Sequence, residues 1–201
     1  MRNNISIFAS YTGRKSDNFM CRILKNLQGI TAQELIEIYG KDELPIDMEE
    51  LAKNIGIQVR PVDFSDIEKA VDLKQGTILG ATVADGENVS IYYRKNDCNN
   101  RKRFTIAHEI AHCCLHTDTL IEQHIELRGE GRSTSGREYE ANVFAGELLI
   151  SENKLKEVCD QLLLPSLSAL SEIFEVSASV MAARLDYLNM PYYKDSDIKE
   201  V

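Results

Sequence analysis

Between positions 16 and 29 the apolar side chains Phe19, Met20, Ile23, Leu24 and Leu27 return at three- and four-residue spacing and Gly29 follows them, which predicts an amphipathic helix with a glycine stop. Thr31 with Glu34 three residues on has the pattern of a capping box, so a second helix is predicted to Tyr39, closed by Gly40. A third opens at Asp47, buries Met48, Leu51, Ala52 and Ile55, and stops at Gly56. The period then shortens to two. Ile57-Gln58-Val59-Arg60 alternates, Thr77 to Ala84 is rich in β-branched residues, Asp85-Gly86 marks a turn, and Val89 to Tyr93 alternates again. Three strands are expected, the last two a hairpin. Helical spacing resumes over Arg101 to His116, Arg137 to Ile150, Glu152 to Leu163, Leu167 to Phe174 and Ser177 to Leu188. Between the first two of these, Thr117 to Gly136 has apolar residues in its first half, enough for a short helix, and Gly129 to Gly136 reads as a mobile loop. The pattern predicts an α+β fold: N-terminal helices, a small, mostly antiparallel three-stranded sheet, and a helical C-terminal part.

Composition narrows the class. With 43% hydrophobic and 27% charged residues the 201-residue chain is an ordinary globular protein with enough length for a core. Lys plus Arg number 23 against 32 Asp plus Glu, a net charge of −9 that repels a phosphate backbone and argues against direct DNA binding by the molecule as a whole. No run approaches the roughly 18 apolar residues of a membrane span. The first ten residues lack the long apolar stretch of a secretory signal. The five cysteines, at 21, 98, 113, 114 and 159, show no disulfide framework, so reduced thiols and a cytoplasmic location are expected.

The chemistry centres on His108-Glu109-Ile110-Ala111-His112, an HExxH sequence inside a helical stretch. At about 100° per residue the two histidines lie about 40° apart and one turn apart, so both rings reach a single ion, and Glu109 can act as general base toward water there. Phe104, Ala107, Ala111, Cys114 and Leu115 form an apolar arc whose edge carries both histidines. A catalytic zinc takes three protein ligands, so one more must come from elsewhere. The next helix offers Glu138, Glu140 and Glu147. Helical phase puts Glu138 at the edge of its buried arc and the other two outward, while Asn142 lies within hydrogen-bonding reach of a ligand histidine. Glu138 also suits the helix N-terminus simply as an acid on the macrodipole. His116, a further turn on, stands about 12 Å along the helix from His108 and is expected to be a buried hydrogen-bonding residue rather than a ligand. His124 is expected to be exposed, and Cys113 and Cys114 to be packing residues. Arg101-Lys102-Arg103 reads as a solvated or salt-bridged turn.

Arg103-Phe104-Thr105-Ile106-Ala107 leading into the HExxH, with Leu115-His116 behind it, and Glu138-Tyr139-Glu140-Ala141-Asn142-Val143-Phe144-Ala145 with Leu148-Leu149 resemble the ImmA/IrrE metallopeptidases. The likeness extends upstream to Leu44-Pro45-Ile46-Asp47 and Gly56-Ile57, and downstream to Phe174-Glu175-Val176-Ser177 and Arg184-Leu185. It implies a zincin-like metallopeptidase domain over 44–150, preceded by a helical segment over 1–43 and followed by a helix-turn-helix-like region over 151–190 and a tail over 191–201. It also implies Zn2+ on His108, His112 and Glu138 and Glu109 as the base. Asn142 and His116 stand behind the ligands. The implied activity is site-specific cleavage of a helix-turn-helix transcriptional repressor in a mobile element or stress response.

Two other classes compete with this one: a non-catalytic metal-containing protein that sequesters a repressor, and a DNA-binding regulator using residues 167–188. Glu109 favours the enzyme, since a structural site needs no base, and the charge disfavours the regulator. Val89 to Tyr93 is expected as a sheet edge on which an extended substrate lies, Leu167 to Leu188 as the docking surface, and the Thr117 to Gly136 insertion as a lid.

Overall fold

The structure, a computed structural model, describes residues 21–85, 87–117, 124–127 (as backbone), 136–162 and 165–193. Local capping sets the first helices, α1 (Arg22–Leu27), α2 (Ala32–Tyr39) and α3 (Met48–Ile55). Thr31 Oγ1 accepts from the Glu34 N–H at 3.2 Å while the Glu34 carboxylate accepts from the Thr31 N–H at 2.9 Å, the reciprocal box its spacing predicts. Asp47 accepts from the N–H groups of Glu49 and Glu50, and Gly56 ends α3 at φ +98°, in the left-handed region that a glycine enters without a Cβ penalty. The start of the first predicted helix, with Phe19 and Met20, lies outside the described residues.

The sheet has four strands, not three. β1 (Gln58–Val62), β2 (Ile78–Asp85), β3 (Asn88–Arg94) and β4 (His124–Leu127) are ordered β1-β3-β2-β4, with β1 parallel to β3 and the other pairs antiparallel. The β2–β3 hairpin forms as expected. β3, expected at an edge, is instead interior: the chain crosses from β1 through α4 (Ser65–Ala70) and β2 before it pairs with β1, and β4 covers the far side of β2. Burial on both faces is the reason, since Val89 and Ile91 join the main core while Tyr92 joins a second cluster with Phe64, Ile78, Ala81 and Val83. β4 falls in the segment read as short helix and loop. The mobile loop and lid expected of the 117–136 segment otherwise lie outside the described residues.

α4 has no strong apolar period. It is held by Glu68, a buried carboxylate that accepts from the N–H groups of Gly76 and Ile78 at 2.9 and 2.8 Å and pairs with Arg94, whose guanidinium also donates to the Ile78 carbonyl.

α5 (Asn99–Leu115) then runs beneath the sheet and α6 (Gly136–Leu149) packs along it. α5 is buried on nearly every side from Thr105 to Cys114, more completely than a one-sided arc predicts, because the sheet, α6 and the N-terminal helices all cover it. α7 (Glu152–Gln161), α8 (Leu167–Ile173) and α9 (Ala178–Tyr187) follow, each opened by a serine whose side chain accepts a backbone N–H. One core cluster runs from Cys21 and Leu24 through Ile106 and Ile110 to Leu148, Phe174 and Leu185. Arg103, expected in a solvated turn, is buried inside it and donates to the carbonyls of Ile46, Phe174 and Glu175, joining the lead-in to α3, the site helix and the α8–α9 corner. Among the described residues no helix is long and apolar enough to cross a membrane.

Candidate metal centre

α5 presents His108, His112 and His116 at four-residue intervals, so their rings stack along one side of the helix with centroids 4.7 and 5.1 Å apart. All three are buried. The first turn of α6 delivers Glu138 to the same place. Its Oε2 lies 3.2 Å from His108 Nε2 and its Oε1 3.5 Å from His112 Nε2, and the two Nε2 atoms are 3.0 Å apart. Ligand atoms bound tetrahedrally at about 2.0–2.1 Å stand roughly 3.3 Å from one another, so these separations fit a single divalent ion. Two imidazoles and a carboxylate form a donor set that suits zinc and its neighbours in the first transition row. The Glu138 side chain keeps 23% of its surface exposed, so solvent reaches the group from that side.

The far side of each ring is held. His108 Nδ1 lies 3.1 Å from Asn142 Oδ1, the contact that helical phase anticipates, and His112 Nδ1 lies 3.1 Å from His116 Nδ1. With both Nε2 lone pairs turned to the metal position, the protons assign themselves in sequence. His108 Nδ1–H donates to Asn142, His112 Nδ1–H donates to His116, and His116 Nε2–H donates to Glu140 Oε2 at 3.0 Å. Glu140, read from phase as a solvated charge, is thus joined to the site although its side chain is 61% exposed. A two-bond reach from the helix surface is enough once α6 lies against the end of α5. Glu147, also read as outward, reaches the buried Arg184 at 3.4 Å.

Glu109 is fully buried against β2, where the Thr82 hydroxyl donates to its Oε2 at 2.5 Å. A Cβ placed on Gly80 would stand 3.0 Å from Glu109 Oε1 and 2.5 Å from Thr105 Cγ2. Only a glycine lets the strand approach this carboxylate so closely. Thr82 and Gly80 were absent from the sequence-derived site. Their signal was a lone glycine inside a β-branched run with a hydroxyl two residues on, on the same face.

Cys113 and Cys114 are packed in the core, and burial pushes both thiols up, Cys114 to about 12. They stay protonated and inert. The side chain of His124 lies outside what is described.

A family model described as Peptidase_M78, IrrE N-terminal-like domain, matches residues 52–186, which takes in both site helices, the sheet and α9. Comparison with curated proteins gives no significant match.

Proposed function

Since the chain belongs to the IrrE N-terminal-like peptidase family, a metallopeptidase-type family, we propose that it is a zinc-dependent endopeptidase of the cytoplasm that cleaves a helix-turn-helix transcriptional repressor and so relieves repression in a mobile element or stress response. The observation that supports this most is the convergence of His108, His112 and Glu138 at bonding separations around one point, with a buried carboxylate on the residue next to His108. His108, His112 and Glu138 would hold the zinc ion, which when bound supplies Lewis acidity to a peptide carbonyl and to water. Glu109 takes the proton of the attacking water and hands it to the departing amine nitrogen. The Thr82 hydroxyl orients that carboxylate, and Asn142 and His116 hold the two ligand rings at the angle the ion requires. Because β3 is interior, an extended peptide would pair instead with one of the two edge strands of the sheet, β1 or β4. Arg184, the lone basic residue of α9, is buried and engaged with Ile150 and Glu147, which supports a protein rather than a DNA partner.

The test is Glu109→Gln, assayed on a helix-turn-helix repressor that the wild-type protein cleaves, with the products of neighbouring genes screened first. Zinc content and folding are expected to match the wild type, with cleavage reduced by about 10²- to 10⁴-fold, the usual loss on removing a general base. Undiminished cleavage would remove Glu109 from the mechanism, and a screen in which the wild type binds a repressor but cleaves none would favour sequestration.

A further inference from the structure

A cavity of about 370 Å³ lies between α6 and α9, walled by Val143, Val180 and Ala183 with Tyr139 and Tyr187 at its mouth. None of His108, Glu109, His112 and Glu138 lines it, so a molecule inside touches neither a metal ligand nor a reacting atom. It meets the metal centre from behind, through Phe104 and Asn142. The Phe104 and His108 ring centroids are 6.1 Å apart, and Asn142 Oδ1 lies 3.1 Å from His108 Nδ1. The Asn142 amide has a second end. Its Nδ2 makes no hydrogen bond among the described residues, and because the amide is planar, whatever fixes Nδ2 also fixes the Oδ1 against which His108 rests. The charge in the walls is already engaged. Arg184 is the one cation among the lining residues, and its guanidinium is occupied by the Ile150 carbonyl at 3.1 Å, by Glu147 at 3.4 Å, and by the Tyr187 ring 5.5 Å away. No carboxylate lines the cavity. A fitting occupant is therefore uncharged and mostly apolar, with one hydrogen-bond acceptor for Asn142. The volume falls within the range of small-molecule sites, whereas a protein partner needs a broad face.

We propose that this cavity binds a small neutral effector, an aromatic or branched-aliphatic molecule bearing a carbonyl oxygen, and that its occupancy is coupled to metal retention through Asn142. With the carbonyl held by Nδ2 and the apolar body against Phe104, the exposed Asn142 side chain loses its other rotamers, and the His108 ring keeps the orientation that turns its Nε2 to the metal position. Effector and zinc then strengthen each other's binding by the same factor, since coupling between two sites is reciprocal. This coupling rests on the zinc reading of His108, His112 and Glu138 above and on no particular substrate.

The experiment titrates the full chain, zinc-free and zinc-loaded, with three probes: acetophenone, which has a ring and a carbonyl, toluene, which lacks the carbonyl, and phenylacetate, which is charged. Binding is followed through the methyl signals of Val143, Val180 and Ala183, and zinc affinity by competition with a chelator in the presence and absence of acetophenone. Acetophenone is expected to shift these methyls saturably and to bind several-fold more tightly than toluene, the margin of one hydrogen bond. It should exceed phenylacetate by roughly tenfold, because the carboxylate would enter apolar walls without a partner. Zinc affinity should rise about fivefold or more with acetophenone bound, and acetophenone affinity by the same factor with zinc bound. Asn142→Asp keeps an acceptor for His108 but loses the donor to the carbonyl, so zinc should still bind while the preference for acetophenone over toluene disappears. Ala183→Phe, at an exposed position, fills the cavity and should abolish binding of acetophenone. Gly146→Ala narrows it more gently, its new Cβ meeting only Arg184 Cδ at 3.9 Å, and should weaken acetophenone in the same direction. No saturable shift at these methyls, a preference that survives Asn142→Asp, or binding unchanged in both narrowing variants overturns the effector site. Zinc held with an affinity indifferent to acetophenone removes the coupling while leaving the zinc reading standing. Acetophenone bound at these methyls by a chain that holds no zinc upholds the apolar site and removes the zinc reading instead.

Discussion

Glu138 and Glu140 stand two residues apart on α6 and reach different histidines, one at the metal position and one behind it. Their roles should separate on substitution. Glu138→Ala is expected to lose stoichiometric zinc, whereas Glu140→Ala should keep it with affinity weakened by about 10- to 100-fold, the usual cost of removing a partner behind a ligand. Zinc titration against a chelator of known affinity distinguishes them, and the reverse ranking would mean that the wrong carboxylate had been placed on the ion. Thr82 calls for a different readout. Thr82→Val removes the hydroxyl that orients Glu109 and touches no ligand, so zinc affinity should be unchanged while kcat falls and KM holds. Helical phase sets Glu138 and Asn142 on the face of α6 that also buries Ala141 and Ala145, the face that the structure brings against His108; the ligand role of Glu138 came from the family resemblance. Phase missed Glu140, Thr82 and Gly80, since a side chain that crosses from one element to another obeys the packing of the two elements and no period along either.

At the scale of elements the least legible piece was α4, six residues with one apolar side chain that faces the second core cluster, Ile67. Its stability is tertiary. Burial pushes the Glu68 carboxyl up, but the N–H groups of Gly76 and Ile78 and the Arg94 guanidinium outweigh that and hold it below the ordinary carboxylate value of 4.5. A pKa depressed in the folded state contributes stability that is full above the unfolded value and disappears as pH falls through the folded one. Glu68→Gln is therefore expected to cost about 3 kcal/mol at neutral pH, as for a buried pair that loses one charge. The gap to wild type should shrink as pH drops below 4.5. Urea denaturation of both proteins across pH 3 to 7 measures this, and a gap independent of pH would show that Glu68 does not carry the charge assigned to it. The long helices were read nearly to their ends, because capping residues such as Thr31, Asp47 and Ser177 act within one turn of themselves.

For the whole molecule, Arg103 and Arg184 are the internal clamps. Each is buried, donates to backbone carbonyls of distant segments, and ties the C-terminal helices to the site helices. Arg103→Met keeps the length of the stem but leaves the carbonyls of Ile46, Phe174 and Glu175 without that donor. A loss of about 2–4 kcal/mol in global stability is expected, with one cooperative transition because the same core cluster spans both sides of the clamp. A first transition confined to the C-terminal helices would show that 151–190 folds as a separate unit.

What the amino-acid sequence determined by itself was everything that depends on neighbours within a turn or two. The helix caps, the alternation of β2 and β3, and the phase that sets His108 beside His112 all follow from rise and rotation per residue. Tertiary structure alone decided which strand lies at an edge, that α5 is covered on nearly all sides, that Glu109 is wedged between Gly80 and Thr82, and that α6 and α9 leave a cavity beside His108. Those are contacts between segments tens of residues apart. The free energy that selects them is the burial summed over the whole core, which no local window of sequence contains.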